Sequence, residues 1–284
     1  MTDLLINPAT EETTGRIVAS QPHAIGLQGE KESGRKYLAL YIARRFLGVE
    51  NLENYPHVLT IDCEKSGIEE VREAIRFLRL KIPGKPRIKR CLLFWSFEKF
   101  GVEAQNAMLK SLEEPPADTV IIITTDAKSS LLPTTVSRLS WIAVLPISLK
   151  QANEFFHNKY REEVVQKAYL LSGGKPAMTI KLLKNYDEHP MVDTISSIKT
   201  MLKADRFERL AEIDRLVKDK EFDMDLYLES LCKVLETVMK NQIDKYNHFD
   251  KRLLEQLKRI NTARSSQRYN VNQKLLLTNV FYNL

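Results

Sequence analysis

Val120-Ile121-Ile122-Ile123-Thr124-Thr125 is six β-branched residues in a row. Such side chains are stiff at their first torsion and suit a pleated, packed surface, so the run predicts a buried strand. Upstream, Cys91–Trp95 is a short apolar run of strand length, and Val102–Leu112 between them reads as a helix stopped by Pro115-Pro116. Further out, Val58–Asp62 reads as a strand. Ser66-Gly67-Ile68-Glu69 has capping-box spacing, with Ser66 at the cap, before a helix with apolar residues at Ile68, Val71, Ile75 and Leu78. Pro83-Gly84 and Pro86 break that helix. His23–Gln28, then helix Tyr37–Leu47, begin the series, and Trp141–Leu145 closes it. Strands alternating with helices imply a parallel sheet with helices on both faces, an α/β domain over 1–146. After Pro146 no strand pattern remains. Helices are expected from Ser148 to Lys159, Arg161 to Leu171 and Ala177 to Lys184, a small helical domain over 147–188 bounded by Glu188-His189-Pro190. The remainder, 189–284, reads as long helices such as Met224–Met239 and Lys251–Ile260.

Composition limits the function classes. Apolar residues are 43% and charged residues 28%, ordinary for a globular chain with a core. No apolar run of membrane-spanning length is present, and Met1–Arg16 lacks a basic n-region before an apolar stretch, so a cytoplasmic protein without a membrane partner is expected. Cys63, Cys91 and Cys232 form no metal-ligand spacing and read as small buried hydrophobes. The net charge is +6. From Lys240 to Leu284 there are nine basic residues against three acidic ones, and Arg76–Arg90 holds seven basic residues and no acid. Both stretches suit a polyanion such as DNA, or are solvated surface.

The loop after the first strand reads Gly29-Glu30-Lys31-Glu32-Ser33-Gly34-Arg35-Lys36. A phosphate-binding loop needs Gly-x-x-x-x-Gly-Lys-Ser/Thr between strand and helix: backbone N–H groups wrap the phosphates, the Lys reaches them, and the hydroxyl ligates Mg²⁺. Gly29 and Gly34 keep the spacing, but Arg35 stands for the Lys and Lys36 for the hydroxyl. An ATPase of this layout also ends the Cys91–Trp95 strand in Asp-Glu, for the metal and the attacking water. Here those places carry Trp95 and Ser96, with Glu98 two residues on as a candidate displaced base. Hydrolysis is not expected. Whether nucleotide is still held at Gly29, Gly34, Arg35 and Lys36 stays open.

Asn106-Ala-Met-Leu-Lys-Ser-Leu-Glu-Glu-Pro-Pro116 resembles the NALLKTLEEPP signature of bacterial DNA polymerase III clamp-loader subunits of the AAA+ class. Leu131-Leu-Pro-Thr-Thr-Val-Ser-Arg138 is similar to that family's LLPTIxSRC, His23-Ala24 to its opening pair, Ile68–Leu80 to its IxQVRELI helix, Leu171–Pro176 to its LSxGSP, and Asn270–Leu277 to its C-terminal end. The resemblance covers roughly residues 15–185 and the tail. It implies an AAA+ parallel-sheet domain, a small helical lid and an all-α C-terminal collar that joins subunits.

The departures point to the delta-prime type within that family, whose members do not hydrolyse ATP. Where ATP-hydrolysing gamma/tau-type subunits carry an Arg in the second domain, this chain has Pro176. The resemblance implies that Ser137 and Arg138 form the Ser-Arg motif, with Arg138 an arginine finger delivered in trans to a neighbouring ATP site. It also implies gamma/tau-type and delta subunits, a sliding clamp and primed DNA as partners, in the replisome. Alternatives are a divergent gamma/tau-type ATPase, or a degenerate AAA+ adaptor or DNA-binding protein; the alternative for Arg138 is that it only caps the preceding helix or pairs with an acid. The third motif residue is Leu139 rather than Cys, read as packing. Members usually carry a four-Cys zinc module before the second strand; here Gly48–His57 has no Cys, so no zinc and no other cofactor is expected. Elemental analysis of the purified chain is expected to find no stoichiometric zinc; about one ion per chain would contradict the missing ligand spacing.

Overall fold

Five strands, β1 Ala24–Gln28, β2 Val58–Asp62, β3 Arg90–Trp95, β4 Thr119–Thr125 and β5 Ser140–Ala143, form one sheet in the order β2-β3-β4-β1-β5. Every pairing is parallel, with Ile25 opposite Ile122 and Leu92 opposite Ile121. The computed structural model describes residues 4–53, 55–83, 88–185, 189–246, 250–266 and 272–282. Helices α1 Pro8–Ser20, α2 Arg35–Leu47, α3 Ile68–Leu78, α4 Val102–Glu113 and α5 Pro133–Val136 lie in the same part of the chain. Strands β3 and β4 are buried at every position, because the period-two pleat sends alternate residues to two covered faces. Leu93, Val120 and Ile122 join Leu38, Ile42 and Phe46 of α2 on one face. Phe94, Ile121 and Ile123 join Val71 of α3 and Met108 and Leu112 of α4 on the other. The α/β class expected from the alternation is the class observed.

Close approach decides one glycine. Gly26 lies opposite Trp141 across β1 and β5, and a Cβ there would stand 2.5 Å from the indole ring. No larger residue fits without moving the strand or the ring. Helix α1 had no counterpart in the sequence reading. Its buried face is polar, Thr10 and Thr14, so the periodicity is weak. Asn7 caps it by accepting from Ala9 N at 3.0 Å. Thr10 Oγ1 donates to Ala143 O at 2.9 Å and accepts from Leu145 N at 3.0 Å, which ties the helix to the end of β5.

Two expectations need correction. The cap of α3 is Gly67, not Ser66, and the glutamate that reaches back is Glu70, which accepts from Gly67 N at 2.6 Å. The helix therefore starts one residue later than the Ser-x-x-Glu spacing suggested. The basic run Arg76–Arg90 is also not one surface patch, since Arg90 is buried inside β3. Its guanidinium donates to the carbonyls of Phe77 and Leu80 at the end of α3 and lies 3.6 Å from the Asp118 carboxylate. Orphan carbonyls at a helix C-terminus attract a cation, and here the strand supplies it. Lys89 likewise donates to Pro83 O at 3.0 Å. Lys85 and Arg87 of the run, and the breakers Gly84 and Pro86, lie outside the described residues.

The chain divides into two compact units, Met1–Ile180 and Lys181–Leu284. Helices α6 Leu149–Phe156, α7 Glu162–Ser172 and α8 Pro176–Lys184 follow the sheet, and Ser148 and Gln151 form a reciprocal cap at α6. The second unit holds α9 Pro190–Lys203, α10 Arg206–Lys218, α11 Met224–Tyr246, α12 Lys251–Ser266 and α13 Gln273–Tyr282. Ile198, Ile213, Leu228, Leu231, Ile260 and Leu277 are buried there. Arg209 of α10 donates to Met201 O, Leu202 O and Phe281 O at 3.0–3.3 Å, and Lys274 pairs with Asp214 at 2.6 Å, holding that carboxyl below its usual range. Glu188 of the expected boundary, Arg268 of the basic tail, and Asn270 and Val271 of the tail motif lie outside the described residues. All three cysteines are buried, and burial pushes their thiols upward, with Asp62 and Glu98 adding to the effect at Cys63. Replacing Arg90 by Met should lower the urea midpoint by the equivalent of about 3 kcal/mol, because the buried acceptors and Asp118 lose their cation. An unchanged midpoint would show that the guanidinium does not hold α3 to β3.

Candidate functional site

The loop Gly29–Lys36 sits where β1 ends and α2 begins, at the carboxyl ends of the strands, the edge at which open α/β sheets bind ligands. Gly29 N donates to Thr125 O of β4 and Ser33 N to Glu30 O, both at 3.0 Å. Gly34 has φ +93°, a left-handed value that suits glycine and turns the chain into α2. The glycine spacing and the strand–loop–helix placement are those a phosphate-binding loop requires. The side chains here are arranged for something else.

Arg35 does not point outward to an anion. Its side chain is 8% exposed, and its guanidinium donates to Gly29 O and to the carboxylate of Asp126, just past β4. The second terminal nitrogen lies 3.5 Å from Ser96 Oγ, just past β3. One planar cation thus joins the ends of β1, β3 and β4. A guanidinium presents several donors in a fixed fork, so it can reach acceptors on three strands where a lysine would reach one. Of the loop's three basic residues, Arg35 is neutralised from within the chain.

At the two positions that would anchor Mg²⁺, Lys36 Nζ stands 5.7 Å from the centroid of the Trp95 ring. A cation over an aromatic face is attractive, but neither side chain is a ligand for a hard cation. Ser96 has φ +55°; its N–H donates to Thr124 Oγ1 at 3.0 Å, which fixes the turn after β3. Glu98, the candidate displaced base, has Oε1 3.4 Å from Asp126 N, and its Oε2 is buried without a partner. Among the described residues no group of three or more His, Cys, Asp or Glu side chains could hold a metal ion. None of their helices is long and apolar enough to cross a membrane.

The start of α8 covers the loop. Lys175 Nζ pairs with Glu30 at 3.0 Å, and Met178 N donates to Glu32 O at 3.3 Å. A Cβ at Gly34 would lie 3.7 Å from Pro176 Cβ. The helix is therefore joined to the loop by the protein's own groups.

Arg138 follows α5, away from the Arg35 cluster in sequence and in partners. It donates to Thr134 O and pairs with the Glu113 carboxylate at the end of α4. Its Nη1 also lies 3.4 Å from Ser137 Oγ, while Ser137 Oγ donates to Thr134 O at 3.1 Å. The capping and acid-pairing contacts that the sequence left open are both present. Asp126 and Glu113 were not singled out in the sequence. An acid just beyond the two threonines that end β4 and a Glu at a helix end before Pro-Pro were the available signals, and neither identifies its partner.

A five-stranded parallel sheet in this order, with a glycine loop between β1 and α2 and helices after the last strand, defines an α/β fold. Residues 17–148 match the family model described as DNA polymerase III, delta subunit. Over that stretch the chain is similar to a DNA polymerase III subunit. It is 28% identical over 141 residues to the DNA polymerase III subunit delta' of Pseudomonas aeruginosa, an alignment covering 48% of this chain and 42% of that one. The chain thus matches less than half the length of this curated relative. A crystal structure of a DNA polymerase III gamma subunit-related protein from Thermotoga maritima aligns with 96% of this chain and 97% of that one, at TM-score 0.57 and 18% identity, a likeness of fold.

Asp126→Asn keeps the shape of the Arg35 contact and removes its countercharge. With Asp126 46% exposed the loss is modest, about 1 kcal/mol. The unfolding temperature of the sheet-containing unit should fall by roughly 2–4 °C, and an unchanged value would show that Asp126 is not Arg35's partner in solution.

Proposed function

We propose that the chain is a non-hydrolysing clamp-loader subunit of the delta-prime type, helping to load a sliding clamp onto primed DNA during replication. The observation that carries this reading is the Arg35 contact at a loop of phosphate-binding shape, together with the family match over 17–148. Phosphoryl transfer needs a cation free to meet phosphate and a carboxylate or hydroxyl to hold Mg²⁺. In this reading Arg35 faces Asp126, Lys36 faces Trp95, and nucleotide is not turned over. No zinc and no other cofactor enters the proposal.

The chemistry proposed for the chain is delivered outward. Arg138 is the arginine finger, its guanidinium stabilising charge on the phosphoryl group transferred in a neighbouring gamma/tau-type subunit, with Ser137 beside it in the motif. Such fingers raise rates by ~10³–10⁵ in comparable systems. The gamma/tau-type and delta subunits are the partners proposed, with the clamp and DNA met through the complex, in the replisome of the cytoplasm. Residues 1–146 would act as the AAA+ core, 147–188 as the lid, and 189–284 as the collar. Lys251, Arg252, Lys258 and Arg259 of α12 are exposed and available to DNA or a partner.

Co-expression with gamma/tau-type and delta subunits of the same organism should yield a stable complex, while the isolated chain shows no ATP turnover. Arg138→Ala should leave assembly intact and depress turnover by the complex, and Arg138→Lys should rescue poorly because a point charge lacks the planar fork. Failure to assemble with an ATPase subunit would overturn the reading. A complex with Arg138→Ala that turns over ATP at the wild-type rate would overturn the finger.

A further inference from the structure

Glu113 is the last residue of α4, where Pro115-Pro116 prevents the helix from continuing. A carboxylate there sits at the negative end of the helix dipole, beside carbonyls that lack helical partners. It is stabilised only if a cation comes to it, and Arg138 comes from the turn after α5. The contact joins the two motifs that carry the resemblance, Asn106–Pro116 and Leu131–Arg138.

The pose so formed is weakly held. Side-chain exposure is 27% for Arg138 and 48% for Glu113, and an ion pair this exposed favours its closed form by no more than roughly five-fold, about 1 kcal/mol. Arg138 Nε is buried and has no acceptor, so one of the five guanidinium donors is left unsatisfied in this pose. Thr134 O and Ser137 Oγ hold the other nitrogen from the helix just before it. A phosphoryl group offers several charged acceptors and would outcompete these contacts.

We propose that Glu113 is a positioning residue for Arg138: it parks the guanidinium against α4 until a neighbouring subunit's nucleotide draws it out. This rests on the finger assignment above. Parking keeps the cation from collapsing onto its own surface at random, and it makes finger delivery depend on a bound nucleotide.

Two measurements separate this from the finger assignment. In the isolated full chain, side-chain ¹⁵N NMR should show restricted rotation of the Arg138 guanidinium in the wild type and free rotation in Glu113→Gln. In the assembled clamp loader, Glu113→Gln should raise ATP turnover by up to roughly five-fold, and adding Arg138→Ala should abolish that gain. Equal Arg138 mobility in wild type and variant, or a Glu113→Gln gain that persists without Arg138, would overturn the parking role. Wild-type turnover by the Arg138→Ala complex would overturn the finger alone, with the NMR result still deciding whether Glu113 holds Arg138. Glu113→Asp, which keeps the charge but shortens the reach, serves if the Gln variant fails to fold; free Arg138 rotation in it would support parking and restricted rotation would count against it.

Discussion

The guanidinium of Arg35 holds together the end of the sheet on which everything else in the first unit is mounted. Its acceptors, Gly29 O, the Asp126 carboxylate and, at the limit of reach, Ser96 Oγ, belong to the ends of three different strands. A sheet of parallel strands gathers its carboxyl ends at one edge, and that edge is where such sheets bind ligands. Here a side chain of the protein joins those ends. The cost of burying a guanidinium is offset because it meets a carboxylate and a carbonyl at once.

Around that contact the neighbouring positions are mutually consistent. Lys36 could repel Arg35, but it turns toward the Trp95 face instead. Glu30 and Glu32 of the loop meet Lys175 and Met178 N at the start of α8. The Lys175–Glu30 ion pair and one backbone hydrogen bond connect the loop directly to the start of α8. The side chains at 35, 36 and 95 form one set of contacts inside the chain: Arg35 meets Asp126 and Gly29 O, and Lys36 lies over Trp95.

Two further arginines show how position changes the meaning of the same side chain. Arg90, in the middle strand region, is buried and joins the end of α3 to β3. Arg138, after a four-residue helix, is partly exposed and joined to one acid and two local oxygens. The first cannot leave without exposing unpaired carbonyls, whereas the second can exchange its partners for others at small cost.

The α/β class was legible in the sequence because a strand covered on both faces must be apolar at every residue, as Cys91–Trp95 and Val120–Ile123 are. The departure of Arg35, Lys36, Trp95 and Ser96 from the residue types of a phosphate- and metal-binding loop was legible too, since such patterns specify particular residues at particular spacings. Helix α1 was not, because its buried positions are threonines whose role appears only once β5 lies beside them. The cap of α3 was displaced by one residue because Ser66 and Gly67 both precede a plausible glutamate, and backbone geometry chose between them. The pairings of Arg35 with Asp126, Arg90 with the end of α3, and Arg138 with Glu113 were decided by tertiary structure alone. They join residues 91, 13 and 25 positions apart, and a hydrogen bond acts only over about 3 Å, a separation that strand register and helix packing set and sequence spacing does not.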